Sequence, residues 1–262
     1  MTKKGLTVEE VENIVNDAGE EITSPLYIGK RVGDDRDVLL DLDKLGSSLV
    51  TGGCGTGKTW FLMNVVANLI HFNEADEIDV RISSYGGAER YKDFRDSEKV
   101  TSFVGGDIRK FLTEIENLHI ETLNRVSELE STGVLKERKT IYFIFDESLI
   151  TLETVEAELG KEKRGEVENK IKDIVAKGRK VDIKAVIASQ RLKGFNEELG
   201  LSDAITWGYV TKTVVDEDWN MLFGGNGDKY SRDLELGTGY FKCVEGKNRG
   251  IELVRSNVLG LK

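Results

Sequence analysis

A glycine-rich octapeptide constrains the fold of this chain more than any other feature. Residues 52–59 read Gly-Gly-Cys-Gly-Thr-Gly-Lys-Thr and match the pattern G-x-x-x-x-G-K-[ST]. Residues 47–51 before it are predicted to form a short strand, and the apolar stretch 60–70 after it a helix. In this arrangement backbone N–H groups and the helix N-terminus converge on an anion. The sequence therefore predicts a site for a nucleoside triphosphate.

The residues of the octapeptide have different expected roles. Lys58 is expected to reach the β- and γ-phosphates, and the Thr59 hydroxyl is expected to bind Mg²⁺. The complete set predicted to bind ATP is Gly52, Gly53, Cys54, Gly55, Thr56, Gly57, Lys58, Thr59 and Trp60.

A second feature predicts the other half of the nucleotide site. The apolar run 140–145 is typical of a strand buried on both faces of a parallel sheet, and it ends in Asp146 and Glu147. Asp146 would hold Mg²⁺ opposite Thr59, and Glu147 would orient and deprotonate a water for attack on the γ-phosphate. The alternative is a pair of acids that merely ends a strand. The octapeptide favours the functional interpretation.

Two further residues are candidates for catalysis. Gln190 follows the predicted strand 185–188, where its amide would hydrogen-bond the γ-phosphate or the attacking water; the alternative is a turn-forming amide. Arg179 lies in a basic run before the same strand. In a ring it would act as an arginine finger toward a neighbouring subunit; the alternative is a solvated basic turn.

Composition limits the class of protein. The chain has 262 residues, of which 39% are hydrophobic and 32% charged, as in ordinary globular domains. We expect a cytoplasmic protein, because no apolar run approaches the roughly 20 residues of a membrane span and the first residues do not resemble a secretory signal. The net charge of −10 argues against a surface that coats nucleic acid, although it permits local basic patches.

Predicted strands alternate with predicted helices, which indicates a doubly wound α/β sheet. The expected strands are 26–29, 37–41, 47–51, 77–83, 99–104, 140–145, 185–188, 204–210, 240–244 and 251–254. The expected helices are 7–18, 60–70, 107–129, 166–177 and one near 216–223. The strand at 77–83 lies between Thr59 and Asp146, which is typical of the P-loop branch with an inserted strand and an additional glutamate, the branch of RecA-like motors.

Several stretches resemble, in order, the FtsK/SpoIIIE family of DNA-pumping ATPases in the FtsK–HerA group. Residues 26–42 resemble the strand pair at the start of the family's motor, 49–59 its phosphate loop and 144–147 its acidic strand end. Residues 174–191 carry the most specific part of the resemblance. The number of residues between Gly178-Arg179 and Ser189-Gln190-Arg191 is the same as in the family. Residues 237–241 resemble a stretch near the end of that motor. The resemblance extends over about residues 25–255.

The resemblance implies a fold, an activity and an assembly. The fold is an α/β RecA-like P-loop NTPase core, with a central mostly parallel sheet flanked by helices, at 25–262 after an N-terminal helical extension at 1–24. The activity is Mg²⁺-dependent ATP hydrolysis within a homo-oligomeric, hexameric ring that translocates double-stranded DNA. The residues carried over are Lys58, Thr59, Asp146 and Glu147 for hydrolysis, Gln190 for sensing and Arg179 as finger.

The sequence also departs from the family. Leu192 stands where the family has proline, and residues 83–87 lack the family's acidic and basic pair. No membrane segment, long linker or winged-helix domain is expected. These departures predict a stripped motor core, similar to those of mobile elements, conjugation systems and phage or plasmid DNA-handling proteins.

The partner is the least constrained part of the prediction. One candidate DNA-binding group is Arg90, Lys92 and Arg95, and a second is Arg191 and Lys193; a solvated charged face explains either group equally well. A coupling or secretion-type ATPase that acts on a protein partner of a transfer or packaging apparatus is the alternative function. A P-loop kinase for a small metabolite would need an arginine-rich lid, for which the sequence shows no convincing candidate.

Overall fold

Ten strands form one mixed sheet in the computed structural model, which describes residues 6–18, 22–191, 204–212, 233–244 and 250–256. The strands are β1 (Pro25–Arg31), β2 (Asp37–Asp41), β3 (Ser47–Thr51), β4 (Ile78–Ser84), β5 (Val100–Val104), β6 (Thr140–Asp146), β7 (Ile183–Ser189), β8 (Ile205–Val210), β9 (Thr238–Cys243) and β10 (Gly250–Ser256). Their order across the sheet is β2-β1-β10-β9-β8-β3-β7-β6-β4-β5.

The sheet has a parallel part and an antiparallel part. Strands β8, β3, β7, β6, β4 and β5 are neighbours and run parallel. Strands β9, β10, β1 and β2 continue the sheet beyond β8 in antiparallel pairs. The parallel part confirms the predicted RecA-like α/β core, and it gathers the carboxyl ends of six strands along one edge.

Strand order differs from chain order beside the phosphate loop. The octapeptide follows β3 and the Asp146-Glu147 pair follows β6, yet β3 pairs with β7, which separates it from β6. The strand predicted between the two motifs, now β4, lies on the far side of β6. One strand therefore does lie between β3 and β6 in the sheet, as expected. That strand is β7, which precedes Gln190, and not β4, which lies between the two motifs only in the sequence.

Five helices in the described part of the chain cover both faces of the sheet. They are α1 (Val8–Asp17), α2 (Lys58–Phe72), α3 (Ile108–Thr132), α4 (Ser148–Leu159) and α5 (Lys161–Gly178). Side chains of β6 alternate between two cores: Tyr142 and Ile144 pack with α1 and α2, whereas Phe143 and Phe145 pack with α3, α4 and α5. None of these helices is both long and apolar enough to cross a bilayer.

Most predicted elements agree with the structure to within a few residues. Helix α1 has the expected capping box, in which Thr7 and Glu10 exchange hydrogen bonds, and its Val11 is buried in the core. Helix α4 was not predicted, and α5 begins at Lys161, earlier than expected. The helix predicted near 216–223 lies outside the described residues.

Candidate nucleotide-binding site

The octapeptide forms a turn between the end of β3 and the first residue of α2. Gly52, Gly55 and Gly57 have φ angles of 155°, 71° and 107°, a backbone region that favours glycine. Gly57 is the N-cap of α2, so Lys58 and Thr59 form the first turn of that helix. The N-terminal N–H groups of a 15-residue helix thus lie beside the loop, as anion binding requires.

The end of β8 holds the loop in place. The Gly53 N–H donates to the Lys212 carbonyl at 2.8 Å, and the Thr211 N–H donates to the Thr51 carbonyl at 2.9 Å. The Thr56 and Thr211 hydroxyls lie 2.6 Å apart. Sequence analysis missed this support, because β8 is about 160 residues away along the chain and carries no motif.

Alanine at Gly52 is expected to destabilise the protein, because a Cβ there would overlap the Thr211 hydroxyl and the backbone has positive φ. Gly55→Ala is the matched control: φ is again positive, but nothing lies within 4 Å of the added Cβ. We expect about 2–3 kcal/mol of lost stability for Gly52→Ala and about 1 kcal/mol for Gly55→Ala, measured by nucleotide-free denaturant unfolding. Equal losses would contradict this account of the loop.

Lys58 is a buried cation at the centre of the loop. Its side chain is 5% exposed, and Nζ donates to the Gly53 carbonyl at 3.1 Å. Burial lowers the pKa of Lys58, while the charges of Glu147 and Asp146 oppose that shift. A polyphosphate bound in the loop would place negative charge beside this buried ammonium group.

Thr59 and Asp146, the two residues predicted to hold Mg²⁺, are in contact. Thr59 Oγ1 donates to Asp146 Oδ2 at 3.2 Å, across the gap between α2 and β6. Asp146 is fully buried, and its Oδ1 accepts from the Glu147 N–H at 3.0 Å. Burial and then the Glu147 charge raise the pKa of Asp146, because both disfavour an isolated buried carboxylate.

These residues fit Mg²⁺. A hydroxyl and a carboxylate are oxygen ligands, and Mg²⁺ is commonly held by one or two carboxylates together with substrate phosphates and water. Ser84 Oγ, opposite Asp146 in the β4–β6 pairing, is buried and has no hydrogen-bond partner among the described residues. It could therefore bind a water of the metal. No cluster of three or more His, Cys, Asp or Glu suited to a metal occurs in the part of the chain that the structure describes.

Glu147 and Gln190 lie together, as the sequence predicted for two residues at one nucleotide site. Glu147 connects β6 to α4 with φ 55° and ψ 43°, a left-handed conformation that is unusual outside glycine. Gln190 Nε2 donates to Glu147 Oε2 at 3.2 Å. The amide therefore orients the carboxylate that would act on water.

Arg179 lies at the amino-terminal ends of the parallel strands, opposite the ends that carry the phosphate loop. It follows α5 and precedes β7, and its side-chain methylenes lie beside Gly46, just before β3. Because β7 has seven residues, about 20 Å of strand separates this end from the Gln190 end. Arg179 is therefore remote from the phosphate loop of its own subunit.

The segment from Ala88 to Phe94 supplies two contacts that sequence analysis missed. Arg90 Nη1 donates to Thr59 Oγ1 at 3.1 Å. Tyr91, fully buried, donates through its hydroxyl to Asp146 Oδ2 at 3.0 Å. Burial raises the pKa of Tyr91, so that its hydroxyl stays protonated and donates. The sequence could have indicated these contacts, because residues that follow parallel strands β4 and β6 lie at the same ends of the sheet.

A cavity of about 530 Å³ opens from the loop toward this segment. Its lining includes Lys58, Trp60, Met63, Arg90, Lys92 and Glu147. The Trp60 side chain is 61% exposed at its mouth. Arg90 and Lys92, considered above as candidate DNA contacts, line this cavity.

The remaining candidate DNA contacts lie elsewhere. The Arg95 guanidinium lies 5.8 Å from the centre of the Phe103 ring. Arg191 is exposed immediately after Gln190. Lys193 and the Leu192 departure lie outside the described residues.

The sheet order, the phosphate loop and the Asp146-Glu147 pair define the class by its fold: this chain has a P-loop NTPase fold with a RecA-like core. No protein-family model matches it. The FtsK domain-containing protein YdcQ of Bacillus subtilis (strain 168) is 24% identical over 217 residues, covering 78% of this chain and 42% of the relative. The chain thus spans about two fifths of that protein.

Two solved structures share the fold. Thermomonospora curvata EccC (ATPases 2 and 3) matches with a TM-score of 0.72 and 14% identity, covering 100% of this chain and 44% of EccC. The pCW3 conjugation coupling protein TcpA, solved with ATPγS, matches with a TM-score of 0.70 and 17% identity, covering 92% of this chain and 67% of TcpA. The chain is thus similar in sequence to an FtsK domain-containing protein and in fold to EccC and TcpA.

Proposed function

We propose that this domain hydrolyses ATP within a hexameric ring and uses the energy to move double-stranded DNA. The observation that carries the proposal is the connected series of hydrogen bonds from Thr59 to Asp146 and from Glu147 to Gln190, beside a loop built for phosphate. It joins the expected metal pair, the expected base and the expected sensor at one sheet edge.

Each residue has a distinct chemical task in this proposal. The loop N–H groups and Lys58 bind the phosphates. Thr59 and Asp146 hold Mg²⁺, which when bound neutralises charge on the β- and γ-phosphates. Glu147 orients a water and accepts its proton, while Gln190 holds the carboxylate of Glu147 in place and senses the loss of the γ-phosphate. Gln190 directly precedes exposed Arg191, which links the nucleotide state to a candidate DNA contact.

Trp60 is proposed to stack on the adenine base, since it is an exposed aromatic ring at the mouth of the cavity. Trp60→Ala is expected to weaken ATP binding roughly 5- to 30-fold, and Trp60→Phe much less, because stacking contributes about 1–2 kcal/mol. Competition binding with inorganic tripolyphosphate provides the control, because that ligand has no base. Equal weakening for ATP and tripolyphosphate would contradict stacking.

The position of Arg179, remote from its own loop, supports a role toward a neighbouring subunit in the ring. Arg179→Ala is expected to lose hydrolysis by roughly 10³-fold, without rescue by higher ATP. The adjacent, exposed Lys180→Ala is the matched control. Mixed rings give the sharpest measurement: Arg179→Ala subunits retain Glu147, and Glu147→Gln subunits retain Arg179. A mixture of two inactive proteins should regain turnover, and a mixture that stays inactive contradicts the role in trans.

Duplex DNA is the favoured substrate because the relatives include an FtsK domain-containing protein and a conjugation coupling protein. The second candidate is a protein substrate. EccC is a type VII secretion ATPase that has been solved with a signal sequence peptide, and the net charge of this chain is −10.

The discriminating experiment is ATP turnover at low salt with and without long duplex DNA, with Glu147→Gln measured in parallel. Low salt is used because binding to the DNA backbone weakens steeply as salt rises. Strong stimulation by DNA that disappears in Glu147→Gln is the expected result. Turnover that is indifferent to DNA would contradict translocation and favour the protein substrate.

A further inference from the structure

The segment from Ala88 to Phe94 places two consecutive side chains on the two residues expected to hold Mg²⁺. Arg90 donates to the Thr59 hydroxyl and Tyr91 to the Asp146 carboxylate. Tyr91 is fully buried, so it fixes the backbone of the segment against β6. Arg90 is exposed, and its long side chain is free to change rotamer at the mouth of the cavity.

A metal bound at Thr59 would weaken the contact between Arg90 and Thr59 by charge repulsion. The Thr59 hydroxyl donates to Asp146 and accepts from Arg90, so a Mg²⁺ ion bound to its remaining lone pair would lie next to the guanidinium. A guanidinium held 3.1 Å from that oxygen would also face the ion at a distance where two cations repel strongly. Binding of Mg²⁺ and ATP is therefore expected to displace Arg90 from Thr59.

The charge around the loop indicates where Arg90 goes. Lys58 and Arg90 both line the cavity, so two cationic side chains border the same space. The two cations are thus close enough to repel each other in the nucleotide-free protein. An anion between them would relieve the repulsion, and the terminal phosphate of ATP is such an anion.

We propose that Arg90 is a γ-phosphate-binding residue that exchanges the Thr59 hydroxyl for the terminal phosphate of ATP. Arg90 thereby distinguishes ATP from ADP in the same subunit, separately from the role of Arg179 toward a neighbour. The inference rests on the proposed ATP-dependent function. It adds a residue that touches the substrate, in a segment that joins β4 to β5.

The test is direct binding of ATPγS and of ADP, each with Mg²⁺, to the full chain and its variants. A charge-assisted contact to the γ-phosphate predicts that Arg90→Ala weakens ATPγS binding roughly 10- to 100-fold and ADP binding less than about threefold. Arg90→Lys should keep part of the preference, as a point charge without the planar fork. Arg95→Ala is the matched control, because it removes the same residue type from the same stretch but contacts Phe103.

The ratio of the two dissociation constants decides the outcome. Equal weakening of ATPγS and ADP in Arg90→Ala would show a structural role, and an unchanged ratio with reduced stimulation by DNA would show a DNA contact. Either result overturns the proposal. Measurements on wild-type protein and on Lys58→Ala distinguish a wrong role for Arg90 from a wrong proposed function. If wild-type protein binds neither ATPγS nor ADP, both the role of Arg90 and the proposed function are overturned. A normal wild-type response, lost in Lys58→Ala and unchanged in Arg90→Ala, would overturn only the role of Arg90.

Discussion

Replacing Glu147 with glutamine is expected to lower steady-state ATP turnover by roughly 10²- to 10⁴-fold while ATP remains bound. The amide has nearly the same shape as the carboxylate and still lies beside Gln190, so the cavity is preserved. What it loses is the negative charge that accepts a proton from water. Phosphate release at saturating ATP measures the turnover, and direct nucleotide binding is measured on the same sample.

Glu153→Gln is the matched control, because it makes the same change on the exposed side of α4, seven residues from the end of β6. It should keep wild-type turnover. Normal turnover in Glu147→Gln would remove Glu147 from its catalytic role. Loss of nucleotide binding would instead show that Glu147 supports the shape of the site.

Lys58→Ala is expected to weaken ATP binding by at least about 10²-fold, because it removes a buried cation whose intended partner is a phosphate. The pH dependence should have a defined sign. Burial lowers the pKa of Lys58, so the free protein loses this positive charge at a lower pH than an exposed lysine would. ATP affinity should therefore fall as pH rises through that lowered pKa, with proton uptake on binding.

Lys110→Ala, an exposed lysine in the first turn of α3, is the control for charge alone. It should leave affinity and pH dependence unchanged. Isothermal titration in two buffers of different ionisation enthalpy measures both the affinity and the proton uptake. Wild-type affinity in Lys58→Ala would contradict the assignment of the phosphate loop.

The parts of the molecule predicted from the sequence are those encoded by neighbouring residues. Strands β3 and β6 each end in a motif, β6 is also a continuous apolar run, and both strands were placed to within a residue. Helix α3 was recognised by its apolar stripe and by the Asp107 cap, which accepts from the Arg109 and Lys110 N–H groups. Local signals suffice for such elements because one turn or one strand contains the whole pattern.

The parts that were missed depend on contacts distant in sequence or on a weak pattern. Helix α4 has no single apolar stripe: Leu152 and Val155 are buried, whereas Ile150 and Leu159 are exposed. The Thr211 support of the phosphate loop and the Arg90 contact to Thr59 arise only when separate strands end at one sheet edge. Nor did the periodicity of single strands reveal that β7 separates β3 from β6.

The order of strands also determines which strand pairs can form while the chain is still being synthesised on the ribosome. The hairpin of β1 and β2 is translated early, yet it joins the sheet through the pairing of β1 with β10. That pairing can form only after Gly250–Ser256 has left the exit tunnel. Until then the hairpin carries an unpaired edge, which is the kind of surface that chaperones cover and that aggregates. Slow translation of the segment between β2 and β10 would lengthen that exposure. Expression yield should therefore depend on the rate at which the second half of the chain is made.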